Sequence, residues 1–182
     1  MENSIFAVVS LDGFITRLDG QLDWRVRAGN GSDNDTFGRT EFLKSVSTVV
    51  MGRRTFLKCL AETQWPYPHQ RVVVLTKTLK EAPKHLAEQV QLFDGSVEDL
   101  AIELDADGES RVFLDGGKAA QQFLQAGLVD DITIMTAPVL LGEGMPLFAG
   151  PLKKDMYLSH VETQAYDNGF VQTTYLCNYS DE

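Results

Sequence analysis

The chain has 182 residues, 43% hydrophobic and 23% charged, which is enough to bury a core without disulfides or structural metals. Sixteen basic residues against 26 acidic ones give a formal net charge of −10 at pH 7. This balance excludes nucleic acid and anionic membranes as general partners, because both attract a positive surface. Two cysteines without CxxC spacing and three scattered histidines predict no metal site.

The N-terminal segment has no basic stretch, and Asp12-Gly13 interrupts its apolar run too early for a signal peptide. No apolar stretch approaches the roughly 20 residues of a membrane-spanning helix. We therefore expect a cytoplasmic protein whose residues 1–182 form a single domain.

Short apolar strands and helical patterns alternate along the first three quarters of the chain. The predicted strands are 5–10, 48–51, 71–76, 90–93, 111–114 and 131–136. Helices are predicted from an N-cap at Asp35 to about residue 46, at 54–60, from the capping box that Ser96 opens, and at 118–126. A long polar loop, 16–35, carries Trp24.

The pattern changes near the C-terminus. Two strand-like runs, 156–163 and 170–178, are joined by Asp167-Asn168-Gly169, a hairpin signal. The sequence thus predicts an α/β fold with a mixed, mostly parallel sheet and a C-terminal antiparallel hairpin.

Several well-known motifs are absent from the sequence. It contains no complete GxGxxG after a strand, no GxxxxGK[ST] and no GxSxG. It also lacks the paired HxE and PCxxC of zinc deaminases. A P-loop NTPase, a zinc deaminase module and the familiar hydrolases are therefore excluded.

Three turns that follow predicted strands combine glycine or hydroxyl groups with cations. They are Gly52-Arg53-Arg54-Thr55, Thr76-Lys77 and Asp115-Gly116-Gly117-Lys118. In an open α/β sheet, ligands bind beyond the carboxyl ends of the parallel strands, where helix N–H groups attract anions. Three such turns in a protein of net charge −10 indicate a ligand with a pyrophosphate and a further phosphate, as in NADPH.

Five segments in order resemble the dihydrofolate reductase-like superfamily. The closer resemblance is to the reductase (C-terminal) domain of bifunctional riboflavin-biosynthesis deaminase-reductases and to their stand-alone relatives. The segments are SLDG (10–13), VVMGRRT (49–55), VVLT (73–76), LDGGK (114–118) and APVLLGEGMPLF (137–148), of which the last is the most specific.

The resemblance implies a mixed sheet of about eight strands that binds NADPH. Gly52, Arg53, Arg54 and Thr55 would contact the adenosine-side phosphates, and Thr76 and Lys77 would lie near the 2′-phosphate. The pyrophosphate would be held by Gly116, Gly117, Lys118 and Ala119. The loop after Asp12-Gly13 would close over the nicotinamide, with Trp24 and Phe14 at the substrate.

The sequence also departs from these families. Phe14 stands where the riboflavin-pathway reductases usually carry lysine, and their Asp-Pro segment is missing from 53–68. Asp35 lies about one residue from the position of the dihydrofolate reductase acid, and it fits a helix N-cap equally well. Asp115 matches an acidic position that faces substrate, although turn N–H groups could also satisfy it.

Hydride transfer from NADPH to a C=N or C=O carbon also requires a proton, and the candidate donors are Asp115, Asp12, Asp35 or a bound water. The leading function is a reductase like the 5-amino-6-(5-phosphoribosylamino)uracil reductase. One alternative is a dihydrofolate or pterin reductase. The other is a non-catalytic dimeric nucleotide-binding protein of the same fold. The expected partners are a small-molecule substrate and a second copy of the chain, paired through the long C-terminal strands.

Overall fold

Parallel strands from distant parts of the sequence form the centre of the fold. The computed structural model describes residues 1–25, 38–152 and 154–179. Within them, the main sheet has eight strands in the order β5-β4-β3-β6-β1-β7-β10-β9. Their bounds are β1 Glu2–Ser10, β3 Thr48–Gly52, β4 Arg71–Leu75, β5 Val90–Phe93, β6 Arg111–Asp115, β7 Asp131–Ala137, β9 Tyr157–Ala165 and β10 Val171–Asn178.

Six strands of the main sheet run parallel, and β10 pairs antiparallel with both β7 and β9. The residues of β3 are buried throughout, as expected for an apolar strand covered on both faces. The predicted mixed sheet with a C-terminal antiparallel pair is confirmed.

Helices cover both faces of the parallel part of the sheet. They are α1 Asp23–Arg25, α2 Arg39–Lys44, α3 Arg53–Ala61, α4 Val97–Ala106 and α5 Gly117–Ala126. One core cluster joins Val50 and Val73 of the sheet to Leu100 of α4 and Phe123 of α5. Because strand side chains alternate, the neighbouring residue Val49 packs in a second cluster with Phe56 of α3.

Some elements differ from their predictions. The first strand begins at Glu2 rather than residue 5, because the polar side chains there find partners in the interior: Asn3 donates to the Leu128 carbonyl at 2.8 Å and Ser4 to Asp131 at 2.7 Å. Helix α2 begins later than predicted, with Gly38 at its N-cap. Asp35, the predicted N-cap and candidate acid, lies outside the described residues.

A small second sheet was not predicted. It pairs β2 (Phe14–Thr16) with β8 (Met145–Pro146), and these strands of three and two residues are too short to show a period-two pattern. In the part of the chain that the structure describes, no helix combines the length and apolar character needed to cross a membrane.

Candidate functional site

Two helices begin side by side at the carboxyl edge of the sheet. Strands β3 and β6 pair in parallel with Met51 opposite Asp115, and each leads directly into a helix, α3 and α5 respectively. The predicted phosphate-binding turns are therefore adjacent in space, although about 60 residues separate them in the sequence.

Neither of these helices has a side-chain cap at its N-terminus. The N-cap residues are Gly52 for α3 and Gly116 for α5, whereas the main-chain N–H groups that begin α4 include one bonded to Ser96 Oγ at 3.1 Å. An uncapped first turn leaves N–H groups and the positive end of the helix dipole available to an anion. The two starts together thus form a site suited to a pyrophosphate.

The backbone at Gly116 leaves no room for a side chain. Its φ is +86°, and a Cβ there would overlap Oγ1 of Thr55, so the turn before α5 lies against the first turn of α3. A Cβ on Gly52 would lie 3.7 Å from Cβ of Lys118. The structure therefore brings Gly52, Thr55, Gly116 and Lys118 together.

The cations of the predicted site are exposed. Arg53, Arg54, Lys77 and Lys118 all reach solvent, and no carboxylate of the described residues lies within ion-pair distance of them. Ala119 is fully buried, main chain included, and packs in the core beneath the first turn of α5. Unpaired cations beside free helix N–H groups fit a polyphosphate.

The predicted 2′-phosphate turn follows β4, the neighbour of β3. Thr76 Oγ1 accepts hydrogen bonds from the main-chain N–H groups of Thr78 and Leu79 at 3.2 and 3.1 Å. These bonds fold the chain tightly and place Lys77 at an exposed position beyond the strand. The turn thus lies one strand away from the helix pair.

Asp12 joins the turn after β1 to the glycine-rich loop near residue 142. Its carboxylate accepts a hydrogen bond from Ser10 Oγ at 2.6 Å and others from the N–H groups of Leu141 and Gly142, at 3.1 and 2.8 Å. The Ser10 bond, helped by the two N–H groups, holds the pKa of Asp12 below its ordinary value despite some desolvation. Both oxygens of Asp12 are thus occupied by hydrogen bonds that join two loops, so this environment argues for a structural role.

The small sheet brings Phe14 beside the same loop. A Cβ on Gly144 would lie only 2.5 Å from the Thr16 carbonyl oxygen and 3.1 Å from Cβ of Phe14, which explains a glycine at this position. On the other side, Ile15 Cδ1 would be 3.0 Å from a Cβ on Gly117. Strand β2 therefore borders the turn that begins α5, and Phe14 is half-buried within it.

Trp24 is placed differently from the expectation. Its side chain is 1% exposed and packs in a core cluster with Met135, Ala137 and Phe170, rather than lying open over a substrate. The large indole gains more by this burial than it would on a polar loop. No local pattern predicts this burial, because the buried residues that pack with Trp24 lie more than 100 residues away in the sequence.

Asp115, at the end of β6, accepts a hydrogen bond from an unexpected partner. Tyr67 Oη donates to its Oδ2 at 2.5 Å, and Arg39 Nη2 in turn donates to Tyr67 Oη at 3.1 Å. The Arg39 guanidinium also lies 5.4 Å from the centre of the Phe113 ring. We call Arg39, Tyr67 and Asp115 the carboxylate relay.

Burial shifts the pKa values of three groups near Asp115, and the Asp115 charge adds to the shift at two of them. Burial, and then the nearby Asp115 carboxylate, raise the pKa of Tyr67, so its phenol keeps its proton. The same two causes raise the pKa of Cys59 to about 12. Burial lowers the pKa of Arg25 to about 10, and repulsion from Arg39 acts in the same direction.

Sequence reasoning missed Tyr67, Arg39 and Arg25. Tyr67 lies in a Trp-Pro-Tyr-Pro segment a few residues beyond the helix predicted at 54–60. A phenol fixed between two prolines, close after a candidate phosphate-binding helix, was the available signal. In the described ranges, no group of three or more metal-ligating side chains is placed to hold a metal ion.

Comparison with known proteins agrees with this fold. The pattern of the RibD C-terminal domain family matches residues 4–172. A structure from Shewanella sp. PV-4, provisionally assigned to riboflavin biosynthesis, is 34% identical with a TM-score of 0.90, over 98% of this chain and all of that one.

Two more distant structures share the fold. The Thermotoga maritima deaminase and 5-amino-6-(5-phosphoribosylamino)uracil reductase is 18% identical with a TM-score of 0.71, over 97% of this chain and 56% of that one. Dihydrofolate reductase of Enterococcus faecalis, solved with NADP(H), is 20% identical with a TM-score of 0.66, over 98% and 97%. On the match across residues 4–172, the chain belongs to the RibD C-terminal domain family.

Proposed function

We propose that the protein is an NADPH-dependent reductase of a small heterocyclic or ribosylamino-pyrimidine substrate, resembling 5-amino-6-(5-phosphoribosylamino)uracil reductase. The observation that carries the proposal is the pair of uncapped helix starts at Gly52 and Gly116, flanked by exposed cations in a protein of net charge −10. Membership of the RibD C-terminal domain family supports the reductase class.

Different residues of the site would bind the cofactor, exclude water and handle the proton. The N–H groups that begin α3 and α5 would orient the pyrophosphate, and Lys77 would pair with the 2′-phosphate. If bound in this way, NADPH would supply the hydride for the carbon of a C=N or C=O bond. Strand β2 borders Gly117 and would exclude water from the reacting groups. Asp115 would hold or deliver the proton that the neighbouring heteroatom requires.

The first experiment measures binding and turnover. Quenching of tryptophan fluorescence by NADPH but not by NADH is the expected result, because the 2′-phosphate distinguishes the two. NADPH oxidation is then followed with the aminopyrimidine ribosyl phosphate and with dihydrofolate. Turnover of dihydrofolate alone would favour the dihydrofolate or pterin reductase. Binding of NADPH without turnover of either substrate would favour the non-catalytic nucleotide-binding protein. A protein that binds neither nucleotide would contradict the proposal.

A matched pair of charge reversals locates the 2′-phosphate. Lys77→Glu is expected to weaken NADPH binding about tenfold, the equivalent of roughly 1.4 kcal/mol, and to leave binding of other nucleotides unchanged. Lys80→Glu makes the same change at another exposed lysine of the following loop and serves as the control. Equal losses in the two variants would show that only the overall charge matters.

We further propose that the protein acts in the cytoplasm as a homodimer formed through β9. All nine residues of this edge strand are exposed, including the apolar Tyr157, Leu158 and Val161. Such a strand leaves unpaired main-chain groups for another chain. Light scattering is expected to give twice the chain mass, and Val161→Lys to shift it toward the monomer. A monomeric wild-type protein at micromolar concentration would refute the dimer.

A further inference from the structure

Tyr67 is held more firmly than a surface turn would require. The side chain is 1% exposed, and its ring makes edge contacts with Trp65 and Phe113, at centroid distances of 6.0 and 6.4 Å. Its carbonyl oxygen accepts hydrogen bonds from Trp65 Nε1, at 3.0 Å, and from Gln89 Nε2. Pro66 and Pro68 restrict the backbone on both sides. The phenol is therefore fixed in position and direction.

The direction of each hydrogen bond in the carboxylate relay follows from its chemistry. A guanidinium has only donors, so Arg39 must donate and the Tyr67 oxygen must accept. The remaining phenolic proton then points to Asp115 Oδ2. Because burial and the Asp115 charge keep the phenol protonated, this donation persists across the neutral range.

This arrangement gives the two carboxylate oxygens of Asp115 different hydrogen bonding. Oδ2 is occupied by Tyr67, whereas Oδ1 accepts no hydrogen bond from the described residues. The terminal torsion of an aspartate is broad, so a carboxylate without such a partner swings between orientations. The Tyr67 bond removes that freedom and leaves Oδ1 as the oxygen available to a substrate.

We propose that Tyr67 is a positioning residue of the reductase site, which fixes the Asp115 carboxylate so that Oδ1 faces the reacting substrate. Tyr67 itself touches neither substrate nor cofactor and acts only through Asp115. This inference rests on the proposed function, since it assigns Asp115 a part in the reaction.

The test compares two tyrosine-to-phenylalanine variants under steady-state conditions. Tyr67→Phe keeps the buried ring and is expected to lower kcat about 10- to 100-fold, since small misplacements of a reacting group have effects of this size. The KM for NADPH should change less than about twofold, because the helix starts at Gly52 and Gly116 are untouched. A merely structural role would not produce this separation of kcat from KM.

Tyr179→Phe is the matched control. The Tyr179 hydroxyl donates to the Val129 carbonyl at 2.6 Å and accepts from the Val129 N–H at 2.9 Å, so its loss also removes a half-buried pair of hydrogen bonds. The Tyr179→Phe variant is expected to have a lower Tm and an unchanged kcat.

Arg39→Gln is the second variant if Tyr67→Phe does not fold. It should lower kcat a few-fold, because the Tyr67 phenol loses the donor that fixes it.

The outcomes separate the inference from the proposed function. If the wild type turns over substrate and folded Tyr67→Phe has the same kcat, the positioning role of Tyr67 is overturned and the proposed function stands. No wild-type turnover with either substrate would overturn the proposed function and with it the positioning role. A ¹³C-carboxyl NMR comparison adds an independent readout: the Asp115 resonance is expected to shift in Tyr67→Phe and to stay in place in Tyr179→Phe. An unmoved resonance would show that the contact does not hold the carboxylate.

Discussion

Replacement of Gly116 by alanine is expected to weaken NADPH binding about 100-fold or more. The new Cβ would overlap Oγ1 of Thr55, and the φ of +86° is unfavourable for any residue with a side chain. Because a residue with a side chain rarely adopts this backbone conformation, the turn is expected to rearrange, which alters the spacing of the two sets of N–H groups. Charge-assisted hydrogen bonds contribute roughly 1.5–3 kcal/mol each, so losing two accounts for this change. Isothermal titration calorimetry measures it directly.

The control for Gly116→Ala is Gly108→Ala. Gly108 has a similar φ of +79° in the turn after α4, but nothing lies within 4 Å of a Cβ built there. This variant should lose about 1–2 kcal/mol of stability through backbone strain alone and keep its affinity for NADPH. A Gly116→Ala protein that binds NADPH as tightly as the wild type would show that the cofactor does not approach this turn.

The second large effect is expected for Asp115→Asn, which should lower kcat about 10²- to 10⁴-fold, the usual range for a lost proton-transfer group. An amide has nearly the same shape, and it can still accept the Tyr67 hydrogen bond through its oxygen, so the fold should persist. Binding of NADPH should change by less than about twofold. Stopped-flow measurement of a single turnover separates this loss from slow product release.

Asp107→Asn makes the same change of charge at the opposite edge of the sheet. Asp107 pairs with Arg71 at 2.7 Å after the end of α4, and its loss should affect stability slightly and kcat not at all. If Asp115→Asn also left kcat unchanged, a bound water or Asp35 would become the leading proton donor.

The sheet was predictable because the central strands are recognisable from their own residues. The run 72–75 is apolar and mostly β-branched, which is typical of a strand covered on both faces. Helix α4 was predictable from Ser96, whose Oγ caps the Asp99 N–H as the spacing indicated. These signals lie within a few residues of each other, where sequence patterns are most informative.

The carboxylate relay and the burial of Trp24 could not be predicted in this way. Tyr67 and Asp115 are 48 residues apart, and their contact depends on where the segment after α3 returns to the sheet. The hydrogen bonds of Asp12 to Leu141 and Gly142 likewise span about 130 residues. Such contacts are set by tertiary packing, which one sequence does not reveal.

The position of β1 between β6 and β7 has a consequence for how the chain folds. Both partners of the N-terminal strand follow it by about 100 residues or more. During synthesis at roughly 5–20 residues per second, β1 must wait on the order of 10 s before either neighbour exists. Pairings of this kind carry a large loop-closure entropy, so they form late and slowly. Until then the apolar run of β1 is exposed to other chains, and this interval is when the protein is most prone to aggregate.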